Sequence, residues 1–278
     1  MAAVAYASAV TCVGAPDANA TQRLERWRCG VCEHGYAPVP APPRLGDVSV
    51  VLSRDGINRA FVGADERGGR LVVAFRGSVE WTQWLFDLDA LLVPRYASEG
   101  CEGCLVHQGF AAAWDELSAG VVRAVEAKAA TLRLGRVLVT GHSLGAALAL
   151  HAALALRRAL PGLELEGYTF GQPRAGNAPF ARWAQARLPA WFRVVNYLDP
   201  VAQAFKLPGY RHTTREVWYT EPPRVGQRPG TYTVLSATDG EDPQGQNSRC
   251  GGLKLCLDGA YHITYLNMPD ITNETAVC

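Results

Sequence analysis

The sequence lacks a hydrophobic run long enough to cross a membrane, and it lacks an excess of charge of either sign. Its 278 residues contain 27 Lys and Arg and 26 Asp and Glu, and this balance argues against binding to nucleic acid phosphates. The longest apolar stretch, Leu144 to Leu156, is shorter than the roughly 20 residues of a membrane-spanning helix and contains His151. With 48% hydrophobic residues, the chain is expected to fold in water around a large core.

Cysteine is present in an even number, which indicates disulfides. Three pairs are close in sequence and the other two residues lie near the chain ends: Cys12, Cys29, Cys32, Cys101, Cys104, Cys250, Cys256 and Cys278. An even set in Gly- and Pro-rich loops is typical of secreted proteins. The alternative is a zinc site made by the two C-x-x-C pairs, but these are far apart and would leave four cysteines unexplained. We therefore expect disulfides and no metal.

Two further patterns bear on secretion. Asn19 and Asn273 each begin an N-x-T pattern, which can carry a glycan in a secreted chain. Residues Met1 to Val10 lack a basic start and are too short for a signal peptide. We therefore expect a secreted, extracellular protein whose signal is absent from this sequence.

Apolar patterns predict strands that alternate with helices. Predicted strands cover residues 48–52, 60–62, 71–75, 136–140, 163–170 and 192–198, and predicted helices cover 111–130 and 146–157. Such alternation is typical of an α/β protein with a mostly parallel sheet between layers of helices. No repeat or linker interrupts the pattern, so we expect one domain over residues 1–278.

A G-x-S-x-G motif lies between a predicted buried strand and a predicted buried helix. Gly141 and Gly145 flank Ser143 with one residue between each. A turn this tight leaves no room for a Cβ at either glycine, and it places the serine hydroxyl at the top of the sheet. The motif predicts that Ser143 is a nucleophile; the alternative is an ordinary strand-to-helix turn.

A nucleophilic serine needs a base, and the base needs a carboxylate to orient it. In this fold class the acid follows the serine along the chain, and the histidine comes last. Asp199 follows the apolar strand 192–198, at the sheet edge where active sites form. Asp239 and Asp242 lie in a polar loop expected to be solvated, and Asp258 is kept as a second candidate.

Three histidines follow the serine. His151 lies inside a predicted buried helix, and His212 is only 13 residues after the candidate acid, where it is expected to support a loop. His262 lies in a loop-like segment and is the predicted base. His107 and His142 are interpreted as structural, with His142 pointing away from the nucleophile.

A serine that attacks a carbonyl group also needs amide hydrogens that stabilise the oxygen as it becomes negative. Leu144, directly after the serine, is expected to supply one of them. The loop at residues 75–78 is expected to supply the other through Ser78, which also has a hydroxyl. The alternative interpretation is that Ser78 is an exposed turn residue.

Six motifs occur in an order that resembles the class 3 lipases of filamentous fungi, a family that also includes feruloyl esterases. They are Phe75-Arg-Gly-Ser78, Val106-His-Gln-Gly-Phe110, Gly141-His-Ser-Leu-Gly145, Gly171-Gln-Pro-Arg-Ala-Gly-Asn177, Asp199-Pro200 and His262 in Tyr-His-Ile-Thr-Tyr. The resemblance runs from about Ala5 to the C-terminus. It implies an α/β-hydrolase fold, hydrolysis of carboxylic esters without a cofactor, and secretion. It also implies four disulfides, Cys12–Cys278, Cys29–Cys32, Cys101–Cys104 and Cys250–Cys256.

The segment that follows the loop at residues 75–78 helps to predict which class of ester is hydrolysed. Its apolar residues follow helical spacing: Trp81, Trp84, Leu85, Leu88, Leu91 and Leu92. In the family this position, about 79–92, is a short helical lid that opens at a lipid surface, which gives interfacial activation. The alternative is a fixed helix whose apolar stripe faces the core. Feruloyl esterases have a more polar segment here, so the tryptophans favour a lipase acting on acylglycerols, with a feruloyl esterase as the alternative.

The partner implied is thus an ester substrate at an oil–water interface, which a monomeric enzyme contacts transiently. A lipid-binding homologue without activity would lack a member of the triad, and none is missing. A serine peptidase of the same fold would give the apolar stripe no role.

Overall fold

The computed structural model describes residues 22, 25–27, 44–78, 91–236, 238, 240–250 and 256–268. Several residues named above therefore lie outside the described part: Cys12, Cys29, Cys32, Cys278, Asn19, Asn273, Asp239, Trp81, Trp84, Leu85 and Leu88. The predictions for the lid, the glycans and two of the disulfides stay predictions.

The strands of the described residues form two sheets. They are β1 (Gly46–Leu52), β2 (Arg59–Asp65), β3 (Arg70–Phe75), β4 (Leu92–Pro94), β5 (Leu105–His107), β6 (Arg136–His142), β7 (Glu164–Phe170), β8 (Gly176–Asn177), β9 (Trp191–Asn196), β10 (Tyr210–Arg211), β11 (Glu216–Tyr219) and β12 (Tyr232–Val234). The larger sheet has eight strands in the order β1-β2-β3-β6-β7-β9-β11-β12. From β3 to β11 its neighbours are parallel, and antiparallel pairs close both ends. The smaller sheet joins β10, β8, β5 and β4.

The central strands β3 and β6 are largely apolar because they are buried on both faces. Every residue of β3 is buried, and so is every residue of β6 except Arg136. The described α-helices are α1 (Gln108–Leu132), α2 (Leu144–Ala159), α3 (Ala178–Arg187) and α4 (Ala260–Ile263). Side chains of α1 and α2 share one large apolar cluster with the sheet. The predicted α/β architecture with a mostly parallel sheet is confirmed.

Several predicted bounds differ by a few residues from those observed, and two of the differences have a clear local cause. The strand predicted to reach Leu198 ends at Asn196, because Tyr197 has a positive φ of 42° and turns the chain. Leu92, predicted on the helical stripe of the lid, instead begins β4 and pairs with His107. Backbone pairing has overridden the apolar spacing at this end of the segment.

Two of the four implied disulfides fall within the described residues. Cys101–Cys104 and Cys250–Cys256 are both bonded, each with a Cα–Cα distance of 5.5 Å. Within the same residues, no helix combines the length and hydrophobicity needed to cross a membrane.

Candidate active site

Ser143 occupies a sharp turn between β6 and α2. Its backbone angles are φ 58° and ψ −126°, a conformation that is strained for a residue with a side chain. A Cβ at Gly141 would lie 2.2 Å from the carbonyl oxygen of Gly145, and a Cβ at Gly145 would lie 2.4 Å from that of Phe75. Both glycines are therefore required by the close approach of strand and helix, as the motif predicts.

The turn holds Ser143 at the N-terminus of a 16-residue helix. The Ser143 amide donates a hydrogen bond of 2.9 Å to the Phe170 carbonyl at the end of β7. The residue is buried, and its hydroxyl has no hydrogen-bond partner among the described residues. Catalytic hydrogen bonds are often long before substrate binds. The bond from Ser143 to its base therefore stays a prediction.

Asp199 and His262 form a buried pair. The Nδ1 atom of His262 lies 3.1 Å from Oδ1 and 3.0 Å from Oδ2 of Asp199. Both side chains are completely buried. Asp199 follows the end of β9 and His262 lies in α4, so the sheet edge brings together two residues that are 63 positions apart.

The Asp199 carboxylate accepts two further hydrogen bonds. The Tyr265 hydroxyl donates to Oδ2 at 2.5 Å, and the Val201 amide donates to Oδ1 at 2.8 Å. Burial by itself raises the pKa of Asp199, but the attraction of His262 and the hydrogen bonds from His262 and Tyr265 outweigh it and hold the pKa below its ordinary value. The carboxylate is therefore ionised at neutral pH. Sequence reasoning missed Tyr265, which lies three residues after His262 at the start of the next turn, Tyr265–Asn267.

The loop after β7 connects the Ser143 turn to this pair. The Phe170 carbonyl accepts from Ser143, and the next residue, Gly171, lies against the pair. A Cβ at Gly171 would be 2.8 Å from both Asp199 Oδ2 and His262 Cε1. One loop thus contacts the predicted acid and the predicted base and is bonded to the nucleophile's backbone.

His142 contacts the predicted base directly. Its ring stacks on that of His262 with centroids 4.3 Å apart, and its Nε2–H donates to the His262 carbonyl at 2.8 Å. Burial lowers the pKa of His142 well below its ordinary value, and the neighbouring His262 lowers it further. A neutral His142 therefore supports His262 without competing for protons.

Three other histidines of the described residues, His107, His151 and His212, are placed structurally, in agreement with the sequence interpretation. The Nε2–H of His212 donates to the Ala202 carbonyl at 2.8 Å, within the loop that follows the acid. His107 accepts from the amides of Gly109 and Phe110 and so caps α1. His151 lies completely buried in α2.

The competing acids are bonded elsewhere. Asp258 accepts from the Ala260 amide, and Asp242 accepts from the amides of Ser236 and Gln244. The loop that contains Asp242 is less solvated than predicted. Its Glu241 pairs with the buried Arg174 at 2.7 Å and is half-buried.

The residues expected to bind the oxyanion lie beside the nucleophile. A Cβ at Gly77 would be 3.2 Å from Ser143 Cβ, so the loop that carries Ser78 adjoins the turn. Leu144 is the first residue of α2. Their action as oxyanion donors stays a prediction. The described residues contain no His, Cys, Asp and Glu cluster suited to a metal ion.

A parallel sheet, a serine on a strained strand-to-helix turn, and a following acid and histidine define an α/β-hydrolase. Comparison with known proteins gives the family. The model for "Lipase (class 3)" matches residues 72–208. A secreted mono- and diacylglycerol lipase of Malassezia restricta is 30% identical over 211 residues, which cover 72% of this chain and 70% of the relative. The chain belongs to the class 3 lipase family.

Two further likenesses describe how far the match extends. Secreted mono- and diacylglycerol lipase 1 of Fusarium solani is 35% identical over 224 residues, which cover 78% of this chain. The match spans only 62% of that relative's length. The structure of the triacylglyceride lipase of Rhizomucor miehei superimposes with a TM-score of 0.70 at 27% identity and covers 82% of each chain. The α/β-hydrolase fold is thereby confirmed.

Proposed function

We propose that this protein is a secreted lipase that hydrolyses acylglycerol esters with Ser143 as nucleophile, His262 as base and Asp199 as its orienting acid. The observation that carries the proposal is the buried contact between Asp199 and His262, next to the strained turn at Ser143. The disulfides in the fold and the names of the secreted relatives support an extracellular location.

In the first half of the reaction, His262 takes the hydroxyl proton of Ser143 as the oxygen attacks the ester carbonyl. Asp199 stabilises the imidazolium that forms, because it is ionised and lies on the Nδ1 side of the ring. The amides of Leu144 and Ser78 donate to the carbonyl oxygen as it becomes negative. His262 then gives its proton to the departing alcohol, which leaves an acyl-enzyme.

In the second half, water attacks the acyl group on Ser143. His262 removes a proton from this water and returns it to the Ser143 oxygen when the tetrahedral intermediate collapses. The products are a fatty acid and the free enzyme. Every proton moves between His262, Ser143, the alcohol and water, so the reaction needs no cofactor.

The proposed substrates are acylglycerols. Two of the relatives described above are named for mono- and diacylglycerols, and the Rhizomucor miehei enzyme is named for triacylglycerides. We therefore propose a lipase for partial glycerides that also accepts triglycerides. These names give no support to a feruloyl esterase.

The test compares Ser143→Ala with the parent on emulsified tributyrin and on monoolein. Since the triad acts as a unit, the variant is expected to retain less than about 1% of the parent rate. Ser118→Ala is the matched control, because Ser118 is half-buried on α1 and its hydroxyl donates to the Asp115 carbonyl of the same helix. Its rate should equal that of the parent.

A fluorophosphonate probe provides an independent readout. It should label the parent and Ser118→Ala, and it should leave Ser143→Ala unlabelled. Absence of labelling in a folded parent, or full activity in Ser143→Ala, would refute the assignment. Methyl ferulate and a series of tributyrin concentrations across its solubility limit, run in parallel, test the ester class and the predicted interfacial activation.

A further inference from the structure

The hydroxyl of Tyr265 bonds to the proposed catalytic acid, and no step of the reaction above uses it. Tyr265 is completely buried at the start of a short 3₁₀ turn, Tyr265–Asn267. Its oxygen lies 2.5 Å from Asp199 Oδ2 and also accepts a hydrogen bond of 3.2 Å from the Asn196 amide. Because the amide uses a lone pair of the phenol oxygen, the phenol hydrogen is left to point at the carboxylate.

The ring of Tyr265 is fixed by the strands that support the nucleophile. It makes edge contacts with Phe170, at 5.8 Å between centroids, and with His142, at 5.7 Å. These residues end β7 and β6, the strands that flank and precede Ser143. The phenol oxygen is therefore held at one position relative to the Ser143 turn. Its hydrogen bond positions the Asp199 carboxylate relative to the same turn.

Tyr265 and His262 share the same carboxylate oxygen. Oδ2 accepts from the Tyr265 hydroxyl and from His262 Nδ1, whereas Oδ1 is bonded to the Val201 amide and to His262. A hydrogen bond to an ionised acceptor is short and draws charge toward its donor. The negative charge available to the imidazole is therefore smaller than it would be without the phenol.

We propose that Tyr265 is a positioning residue, which aims the Asp199 carboxylate at His262 and takes up part of its charge, so that it helps to set the pH at which the base becomes active. The inference rests on the proposed function. It concerns the tuning of the base, which the triad assignment alone does not specify.

Other ionisable groups also lie near the Asp199–His262 pair. His142 faces His262 from β6 and stays neutral, because burial lowers its pKa. Tyr261 and Asp258 precede His262 on its own segment, and Tyr197 follows β9 and contacts Tyr261. Tyr265 donates a hydrogen bond directly to the carboxylate of Asp199.

The main experiment is Tyr265→Phe, which keeps the ring and removes the hydroxyl, assayed on a soluble p-nitrophenyl ester. We expect kcat to fall by between about 10-fold and about 100-fold, the latter being the cost of a misplaced catalytic group. KM should stay nearly unchanged. The acid limb of the kcat/KM profile should move to higher pH by about half a unit or more, because the full charge of Asp199 then acts on the imidazole.

Tyr168→Phe is the matched control. Tyr168 lies in β7 with its ring stacked on Phe192 at 5.2 Å, and the substitution removes the same atom. It should leave kcat and the pH profile unchanged. A Tyr265→Phe enzyme with the parent profile overturns the proposal. So does a loss of kcat without a shift of the acid limb, because a purely structural hydroxyl would give that result.

A second measurement covers a Tyr265→Phe variant that fails to fold. A 3-fluorotyrosine placed at position 265 is a more acidic donor of almost equal size, and it should move the acid limb to lower pH. No shift, or a shift the other way, overturns the proposal.

A further readout, which requires no turnover, is the low-field proton NMR signal of the Asp199–His262 hydrogen bond, compared between parent and variant. If the parent hydrolyses no ester, the proposed function fails, whereas an unchanged NMR signal refutes the role of Tyr265.

Discussion

At the scale of single residues, the site depends on contacts that a sequence motif cannot reveal. The motif and the chain order predict Ser143, Asp199 and His262, because a tight turn and a fixed order of acid and base leave signals along the chain. The roles of Tyr265 and Gly171 leave no such signal. Each depends on which atoms meet after the ends of β6, β7 and β9 and the segment that carries His262 have converged at one sheet edge.

Gly171 gives a prediction at this scale. It has φ +58° and lies against both Asp199 and His262, so Gly171→Ala should displace the pair and also strain the backbone. We expect kcat to fall by about 100-fold, since small displacements of catalytic groups are costly. The matched control is Gly56→Ala, which has φ +72° and no neighbour within 4 Å of the added Cβ.

Both alanine variants should lose about 1 kcal/mol of stability through backbone strain, and only Gly171→Ala should lose activity. Steady-state rates and urea unfolding measure the two effects separately. Equal activity in the two variants would show that the contact at Gly171 has no catalytic consequence.

At the scale of elements, the loop that follows β9 is held in place by a buried ion pair. The guanidinium of Arg174 makes two hydrogen bonds to Glu241, at 2.8 and 2.7 Å. It also donates to the carbonyls of Gln203 and Ala204, which follow the proposed acid. The polar composition of residues 238–243 predicted a solvated loop. Composition could not show that the buried Arg174 pairs with Glu241 in this loop.

Glu241→Gln tests this ion pair. Burial by itself raises the pKa of Glu241, but the hydrogen bonds and charge of Arg174 outweigh it and lower the pKa well below the ordinary value. The stabilisation is therefore present above the unfolded pKa, about 4.3, and is lost as the pH falls below it. At pH 7 the variant should be less stable by about 3 kcal/mol, since Arg174 loses its buried partner.

Glu164→Gln is the control, because the Arg136–Glu164 pair is exposed and 3.5 Å apart. It should change the free energy of unfolding by less than about 0.5 kcal/mol. Urea unfolding at pH 7 and at pH 4 is the measurement. If the loss in Glu241→Gln equals that in Glu164→Gln at pH 7, the buried pair does not stabilise the loop.

At the scale of the whole molecule, the fold buries four histidines in neutral form: His107, His142, His151 and His212. Burial lowers the pKa of His107 to about 4 and that of His151 to about 3, and it lowers those of His142 and His212 well below the ordinary value. The architecture was predictable because alternating apolar strands and helices determine it. The neutrality of these histidines was not, because burial results from packing between distant elements.

Acid should therefore destabilise the protein from about pH 6.5 downward. Below that pH the unfolded chain binds a proton at each of these histidines and the folded chain does not, so stability rises with pH up to about 6.5. Each group contributes a slope of up to about 1.4 kcal/mol per pH unit between its folded pKa and about 6.5.

The variant His107→Asn tests one of these histidines, because an Asn can still accept from the amides that His107 caps. Loss of the ring should lower stability by the same amount at every pH. Loss of the titration should make the pH dependence shallower by about 1.4 kcal/mol per unit between about pH 4.5 and 6. Urea unfolding of parent and variant across this range measures the slope, and parallel curves would show that His107 takes up its proton equally well in the folded state.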